Sequence, residues 1–242
     1  MANTFHTHYR VMYHDADSTG HLSIPALGNY VLDTAGLHAI DLGISMRQLA
    51  ARGMTWVMSG LRFSIHGLPE INSTIDLATQ ISGYTRISSQ RDFAATCNGK
   101  PVADISTEWL IIDTTTRRPV FLTDVFPGIE GLLGPNPPLP KYQHLRQAPG
   151  AAASTVTRKT VEYSDIDINS HLYSMRYLSM ALDTLDRRIL SSGSISKLTA
   201  NFVSEILYGC EVEIITGAAE SGAQIIEMRV EGKTMFRAMV AS

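Results

Sequence analysis

The sequence predicts an α+β protein made of two copies of one unit, each a long helix plus a meander of antiparallel strands. Three observations predict it. A polar motif near the N-terminus recurs 150 positions later without a gap (Asp167 − Asp17 = 150). In each half, helical apolar spacing follows the motif and strand-like alternation follows the helix. Between the halves lies a stretch holding seven of the ten prolines.

The repeat is read residue by residue. Residues 9–22 run Tyr-Arg-Val-Met-Tyr-His-Asp-Ala-Asp-Ser-Thr-Gly-His-Leu. Shifted, Tyr13 meets Tyr163, Asp15 meets Asp165, Asp17 meets Asp167, His21 meets His171 and Leu22 meets Leu172. Leu32-Asp33 meets Leu182-Asp183. A repeat of this length is a small domain plus a connector, not a solenoid. The predicted organisation is a first unit at 1–118, a connector at 119–153 and a second unit at 154–242.

Length and composition set the bounds. The 242 residues can bury a sizeable core, and 44% hydrophobic with 18% charged residues is ordinary for a globular chain. A net charge of −3 argues against a dominant nucleic-acid footprint. No apolar run reaches membrane-spanning length. Residues 1–10 hold no signal-peptide h-region or long transit segment. Cys97 and Cys210 form no metal-ligand spacing. The expected compartment is the cytoplasm, with reduced thiols.

In the first half a helix follows the motif. Ser23 suits its N-cap, Pro25 its first turn and Gly43 its end. His38 on this helix reads as a satisfied histidine more readily than as a ligand. Residues 44–55 have no counterpart in the second half and lead into Trp56-Val57. Phe63 and Ile65, then Ile75, Leu77, Thr79 and Ile81, alternate with polar neighbours as half-buried strands do. Asn98-Gly99 is a hairpin signal after the segment 91–97, and 102–105 and 108–113 complete an antiparallel sheet. Pro135-Asn-Pro-Pro-Leu-Pro140 marks an extended connector. In the second half, 156–163 reads as a strand and 170–190 as the helix, capped by Asn169 or Ser170. Strands follow at 198–206, 212–215, 225–230 and 235–240. Matching Val212 to Ile75 changes the offset to 137 (212 − 75 = 137), and the extra segment at 44–55 accounts for roughly that difference.

The chemistry concentrates in Tyr163-Ser-Asp-Ile-Asp-Ile-Asn-Ser-His171. Asp165, Asp167, Asn169 and His171 can hold or move a proton, and all fall within seven positions. Carboxylate, amide and imidazole beside a helix N-terminus suit hydrolysis of an acyl group. Asp and Asn before a helix also serve as caps and turn residues, and on spacing alone that reading weighs as much.

These residues carry a resemblance. Asp-x-Asn-x-His at the start of a helix, in the second of two fused units, resembles the acyl-acyl carrier protein (acyl-ACP) thioesterases. Gly53-Met-Thr-Trp-Val57 resembles the start of that family's Trp-Val strand. Glu108-Trp-Leu-Ile-Ile-Asp-Thr-Thr-Thr-Arg-Arg-Pro119 resembles the segment that ends its first unit. Ser204-Glu205-Ile206 resembles the segment carrying a further catalytic Glu. The resemblance covers essentially the whole chain and is to bacterial-type members. It implies that each unit is a hot-dog fold, a long helix wrapped by an antiparallel sheet.

The departures are informative. Plant members follow the Glu with a Cys; here Ile206 stands there, which excludes a thiol nucleophile at that position. The two Asn after the motif His are replaced by Tyr173-Ser174. The Arg after the Trp-Val strand corresponds to Gly60.

The resemblance implies hydrolysis of fatty acyl-ACP to free fatty acid by an activated water. Asp167 would position or activate the water, with Glu205 as partner acid/base. Asn169 would donate to the thioester oxygen or hold the water, and His171 would orient a neighbour or share a proton. Trp56 is a candidate tunnel residue. Arg117 and Arg118 are candidates for docking the acidic carrier protein. No cofactor or metal is called for. The alternatives are an acyl-CoA thioesterase of the same fold and a non-catalytic module that binds acyl chains or carrier protein. Association into a homodimer is left open. One working site per chain is expected, in the second unit, because Thr19 stands opposite Asn169 and Leu68 opposite Glu205.

Overall fold

A computed structural model describes residues 3–146, 154–191, 193–219 and 221–242. The chain divides into two compact units. The first comprises Met1–Leu61 and His66–Gln143; the second comprises Arg62–Ile65 and His144–Ser242.

The first unit starts with β1 (Thr4–Arg10), then α1 (Ile24–Asp41), the short α2 (Met46–Ala50), β2 (Met54–Ile65, of which the part to Leu61 belongs to this unit), β3 (Thr74–Tyr84), β4 (Ser88–Cys97) and β5 (Lys100–Asp113). The strand order is β1-β3-β4-β5-β2. The β1–β3, β3–β4 and β4–β5 ladders are antiparallel. Asn98 and Gly99 turn the β4–β5 hairpin with φ of 51° and 74°, the positive values a two-residue hairpin turn requires. Ser23 caps α1, its Oγ accepting from Ala26 N, and Gly43 follows the helix with φ 74°. α1 packs against β1 and β3. Its buried row Tyr30, Thr34 and His38 sits one helical turn apart and meets β1 rung by rung. Tyr9 stacks on Tyr30, Thr7 Oγ1 bonds Thr34 Oγ1 at 2.7 Å, and Phe5 stacks on His38. Leu27, Val31, Ile75, Leu77 and Ile105 are fully or almost fully buried there.

The proline-rich stretch departs from the expected free connector. As far as Gln143 it belongs to the first unit, so that unit does not end at 118. Residues Leu122–Val125 form a short helix, α3, and Ile129–Leu132 a 3₁₀ turn. Leu122, Val125 and Ile129 are buried with Leu49, Met54 and Ile111, with Trp56 and Phe126 packed alongside. Burying each such aliphatic side chain contributes about 1.5–3 kcal/mol, enough to hold the segment down. Further on, Gln80 exchanges two hydrogen bonds with the backbone of Asn136, and Asp92 Oδ2 accepts from Leu139 N at 2.7 Å. Tyr142 then lies on Gly60, where any Cβ would strike its ring. That contact explains why the resembling family's Arg has no room at this position. The rest of the expected connector, 147–153, lies outside the described residues.

The second unit contains β6 (Thr155–Thr160), α4 (Ser174–Leu182), α5 (Arg187–Ser191), β7 (Lys197–Phe202), β8 (Glu211–Ala218), β9 (Gln224–Val230) and β10 (Lys233–Ala241). Its strand order is β7-β10-β9-β8-β6, and the described ladders are antiparallel. α4 packs on β9 and β10, and Leu178, Leu198, Ile214, Ile226, Met228 and Phe236 are fully buried in this unit.

The helix expected over 170–190 is shorter and broken. Thr184 Oγ1 bonds the carbonyl of Ala181 at 2.7 Å and Thr216 Oγ1 at 2.6 Å, which diverts the backbone from the helical ladder. Asp186 then caps α5 by accepting from Arg188 N. Neither Asn169 nor Ser170 caps α4: its N-cap is Tyr173, which makes no side-chain capping bond.

Candidate active site

Both motif turns share one backbone frame. In the second unit Asp165 N donates to Glu162 O, Asp167 N to His171 O, Ser170 N to Asp167 O, and Tyr173 N to Asp165 O. Leu172 N donates to Ile206 O, tying the turn to the segment that carries Glu205. In the first unit the same bonds run from Asp15 to Met12, Asp17 to His21, Gly20 to Asp17, Ser23 to Asp15 and Leu22 to Pro69. The shift is 150 within the turn and 137 to the facing segment (Ile206 − Pro69 = 137), the two offsets read from the sequence. Gly20 has φ 81°, and Ser170 takes the same left-handed conformation with φ 62°.

Within the second turn, Asp167 Oδ1 accepts from Asn169 N at 2.8 Å and from His171 N at 3.3 Å. Asp167 Oδ2 accepts from Asn169 Nδ2 at 3.3 Å. One amide hydrogen of Asn169 is thus directed by Asp167, which fixes where the other points. His171 Nδ1 stands 3.4 Å from Glu205 Oε1. All four expected site residues are therefore linked by direct contacts within one unit.

Asp165 does something else. It is buried, accepts from Arg176 Nε and Nη2 on Oδ1, and takes Glu162 N on Oδ2. It anchors the turn to α4 rather than facing the cluster.

Sequence reading missed Tyr177. Its Oη donates to Ser204 O at 3.2 Å and accepts from Ile206 N at 3.0 Å, clamping the backbone on both sides of Glu205. Burial raises its pKa well above the ordinary phenol value, with Glu205 and Asp167 adding to the rise against the bond from Ile206. It stays a neutral hydroxyl. It lies off the helical apolar row Leu172, Met175 and Leu178 and carries no motif, so no sequence signal pointed to this role.

The first turn is built differently. Asp17 Oδ1 accepts from Thr19 N at 2.8 Å and Thr19 Oγ1 at 2.6 Å, and Thr19 Oγ1 lies 3.1 Å from His21 Nδ1. Leu68 does stand opposite Glu205, but a carboxylate is not lacking nearby. Glu70 Oε1 lies 3.9 Å from His21 Nε2, with 79% and 42% of their side chains exposed, against 37% and 23% for Glu205 and His171. Water screens the first pair more strongly.

The other candidates belong to the first unit. Trp56 donates from Nε1 to Ile44 O at 2.8 Å and stacks on Phe126, in the side cluster of the first unit. Arg117 and Arg118 are exposed on the turn after β5, where Asp113 Oδ1 organises the backbone of Thr115 and Thr116. Those bonds from Thr116 hold the Asp113 carboxyl below its ordinary range. Among the described residues, no group of three or more His, Cys, Asp or Glu could hold a metal ion. No described helix is long and apolar enough to cross a membrane.

A helix set against an antiparallel sheet, occurring twice in one chain, defines a fused pair of hot-dog units. The N-terminal domain profile of the acyl-ACP thioesterases matches residues 2–127, and the C-terminal domain profile matches 150–237. The chain belongs to the acyl-ACP thioesterase family. It is 22% identical over 224 residues to a chloroplastic palmitoyl-acyl carrier protein thioesterase of Gossypium hirsutum, covering 86% of this chain and 53% of that one. It is also 22% identical over 221 residues to the dodecanoyl-[acyl-carrier-protein] hydrolase of Umbellularia californica, covering 83% and 56%. The chain spans about half the length of the curated relatives it matches. An acyl-ACP thioesterase from Bacteroides thetaiotaomicron superposes with a TM-score of 0.89 at 24% identity, covering 98% of this chain and 97% of that one. The 12:0-ACP thioesterase from Umbellularia californica gives 0.88 at 17% identity, covering 99% and 97%. At such identities the likeness speaks for the fold.

Proposed function

We propose that the chain hydrolyses fatty acyl-ACP to a free fatty acid and the carrier thiol, in the cytoplasm, using the cluster of the second unit. The observation that carries this reading is the linked set Asp167, Asn169, His171 and Glu205, in a chain whose halves match the two domains of the family. Both cysteines are free, in keeping with a reducing compartment.

Water is the nucleophile in this reading. Asp167 holds it, and Glu205, paired with His171, takes its proton as it adds to the thioester carbon. Asn169 donates its second amide hydrogen to the oxygen that becomes anionic; losing one such donor costs roughly 10²–10³ in turnover. The tetrahedral adduct collapses, the carbon–sulfur bond breaks, and the proton on Glu205 passes to the leaving sulfur. Cys210, four residues after Ile206, has no part in these steps.

Arg117 and Arg118 remain the proposed docking cations for the acidic carrier. The test is release of free thiol from matched acyl-ACP and acyl-CoA across a range of ionic strength. Acyl-ACP should turn over faster, with the advantage shrinking as salt rises. Equal rates on both carriers, insensitive to salt, would contradict the carrier preference, and no turnover on either would leave a binding module.

A further inference from the structure

The first unit buries a cation that the proposed chemistry does not use. Arg91 lies in mid-β4, opposite Ile81 of β3 and Thr107 of β5, and is 6% exposed. Its side chain faces α1, where Nη1 donates to His38 Nδ1. Asp92, next in the chain, points to the other face of the sheet, where Ser106, Gln90 and Leu139 N occupy its carboxylate. Among the described residues, His38 is the one hydrogen-bond partner of the Arg91 guanidinium.

His38 supplies no counter-charge. Its Nδ1 accepts, so its neutral form carries the proton on Nε2. Burial first, and the neighbouring Arg91 second, lower its pKa to about 4. Burial lowers Arg91 to about 10, which leaves it protonated at neutral pH. The pair thus holds one full positive charge in a protein core. An uncompensated buried charge costs several kcal/mol, so a partner of opposite sign is strongly favoured there.

The geometry says what partner fits. With Nη1 engaged, Nε and Nη2 remain. No side-chain polar atom sealed from solvent lacks a partner among the described residues, so these two atoms open onto space that water can enter. They form the edge of a guanidinium that takes a carboxylate through two parallel hydrogen bonds. Around it the surface is mixed. Phe5 stacks on His38 at 5.3 Å, Ile81 and the buried Thr107 stand opposite Arg91, and Ser89 and Phe93 flank it on the same face of β4. A monocarboxylate cancels the single charge; a phosphate dianion would leave a net negative charge in the same buried place.

We infer that Arg91, oriented by His38, is a binding site in the core of the first unit for the carboxylate of an aliphatic acid. Two sources share this chemistry: a free fatty acid, and the far-end carboxyl of a dicarboxylic acyl chain. The inference is read by binding and does not depend on the thioesterase reading.

The test is calorimetric titration of the whole chain with decanoate and with decanol, which share a chain and differ in charge. Decanoate should bind at least tenfold more tightly. Arg91→Met should erase the difference, and Arg91→Lys, which keeps the charge without the fork, should leave part of it. Equal binding of the two ligands, or an unchanged preference in Arg91→Met, would overturn the inference. Should Arg91→Met fail to fold, decanoate labelled with ¹³C at the carboxyl gives an answer on the native protein. The bound carboxyl should titrate below the free acid, and titration as in water would overturn the site. Turnover of acyl thioesters ending in carboxyl or methyl separates the sources. A carboxyl preference lost in Arg91→Met assigns the site to substrate; no preference, with decanoate binding intact, assigns it to a free acid.

Discussion

The two motif turns have the same backbone and different side-chain wiring. Every backbone hydrogen bond within the turn at Asp17 has its counterpart at Asp167; the bond from Ile71 N to Gly20 O, from the facing segment, has none there among the described residues. What differs is what the carboxylate and the histidine hold. Asp17 is engaged by the hydroxyl of Thr19, which also lies against His21. Asp167 instead directs the amide of Asn169, and His171 turns Nδ1 to Glu205. The second pair is the less exposed one, and Tyr177 fixes the backbone beside it. Leu27 stands where Tyr177 does in the repeat (177 − 150 = 27) and has no hydroxyl to offer. A shared frame therefore preserves the position of a motif without preserving its chemistry.

That contrast predicts unequal mutants. Glu205→Gln should lower turnover by roughly 10²–10⁴, the usual scale for loss of a general acid/base. Glu70→Gln, its nearest analogue, should leave turnover close to native. Steady-state rates of both variants check this, and equal losses would erase the distinction between the turns. A smaller effect is expected at Tyr177. Tyr177→Phe removes two hydrogen bonds worth about 1 kcal/mol each, so Glu205 loses its fixed placement. Turnover should fall about tenfold with KM nearly constant, while the circular dichroism spectrum stays native. An unchanged kcat would show that the clamp does not serve the site.

The repeat made much of this legible. Its two offsets located both turns and the segment facing each, and residue patterns located the Ser23 cap and the Asn98-Gly99 hairpin. Asp167, Asn169, His171 and Glu205 could be named as candidates because they lie close in the chain or on a segment marked by resemblance, whereas Tyr177 could not. Other features depend on packing that sequence spacing does not encode. The break after Leu182 comes from Thr184 meeting Thr216 across the unit. The proline-rich stretch reads as extended, yet it holds a short helix and a 3₁₀ turn, and nothing in its composition says that Tyr142 lies on Gly60 or that Leu122 is sealed in a cluster. Strand β1 was there to be found, since Phe5, Thr7 and Tyr9 alternate with His6, His8 and Arg10. Glu70 escaped notice because it stands two positions beyond the residue aligned with Glu205, and only the fold brings it towards His21.

The central claim is one working site per chain, in the second unit. It is tested most directly by the turnover of Asp167→Asn and Asp17→Asn, each normalised to folded protein. Asp167→Asn should be folded and slower by about 10²-fold or more, since the group holding water and directing Asn169 has lost its charge. Asp17→Asn should lose at most about 1–2 kcal/mol of stability and keep near-native turnover. If folded Asp17→Asn is as inactive as Asp167→Asn, the one-site account is wrong.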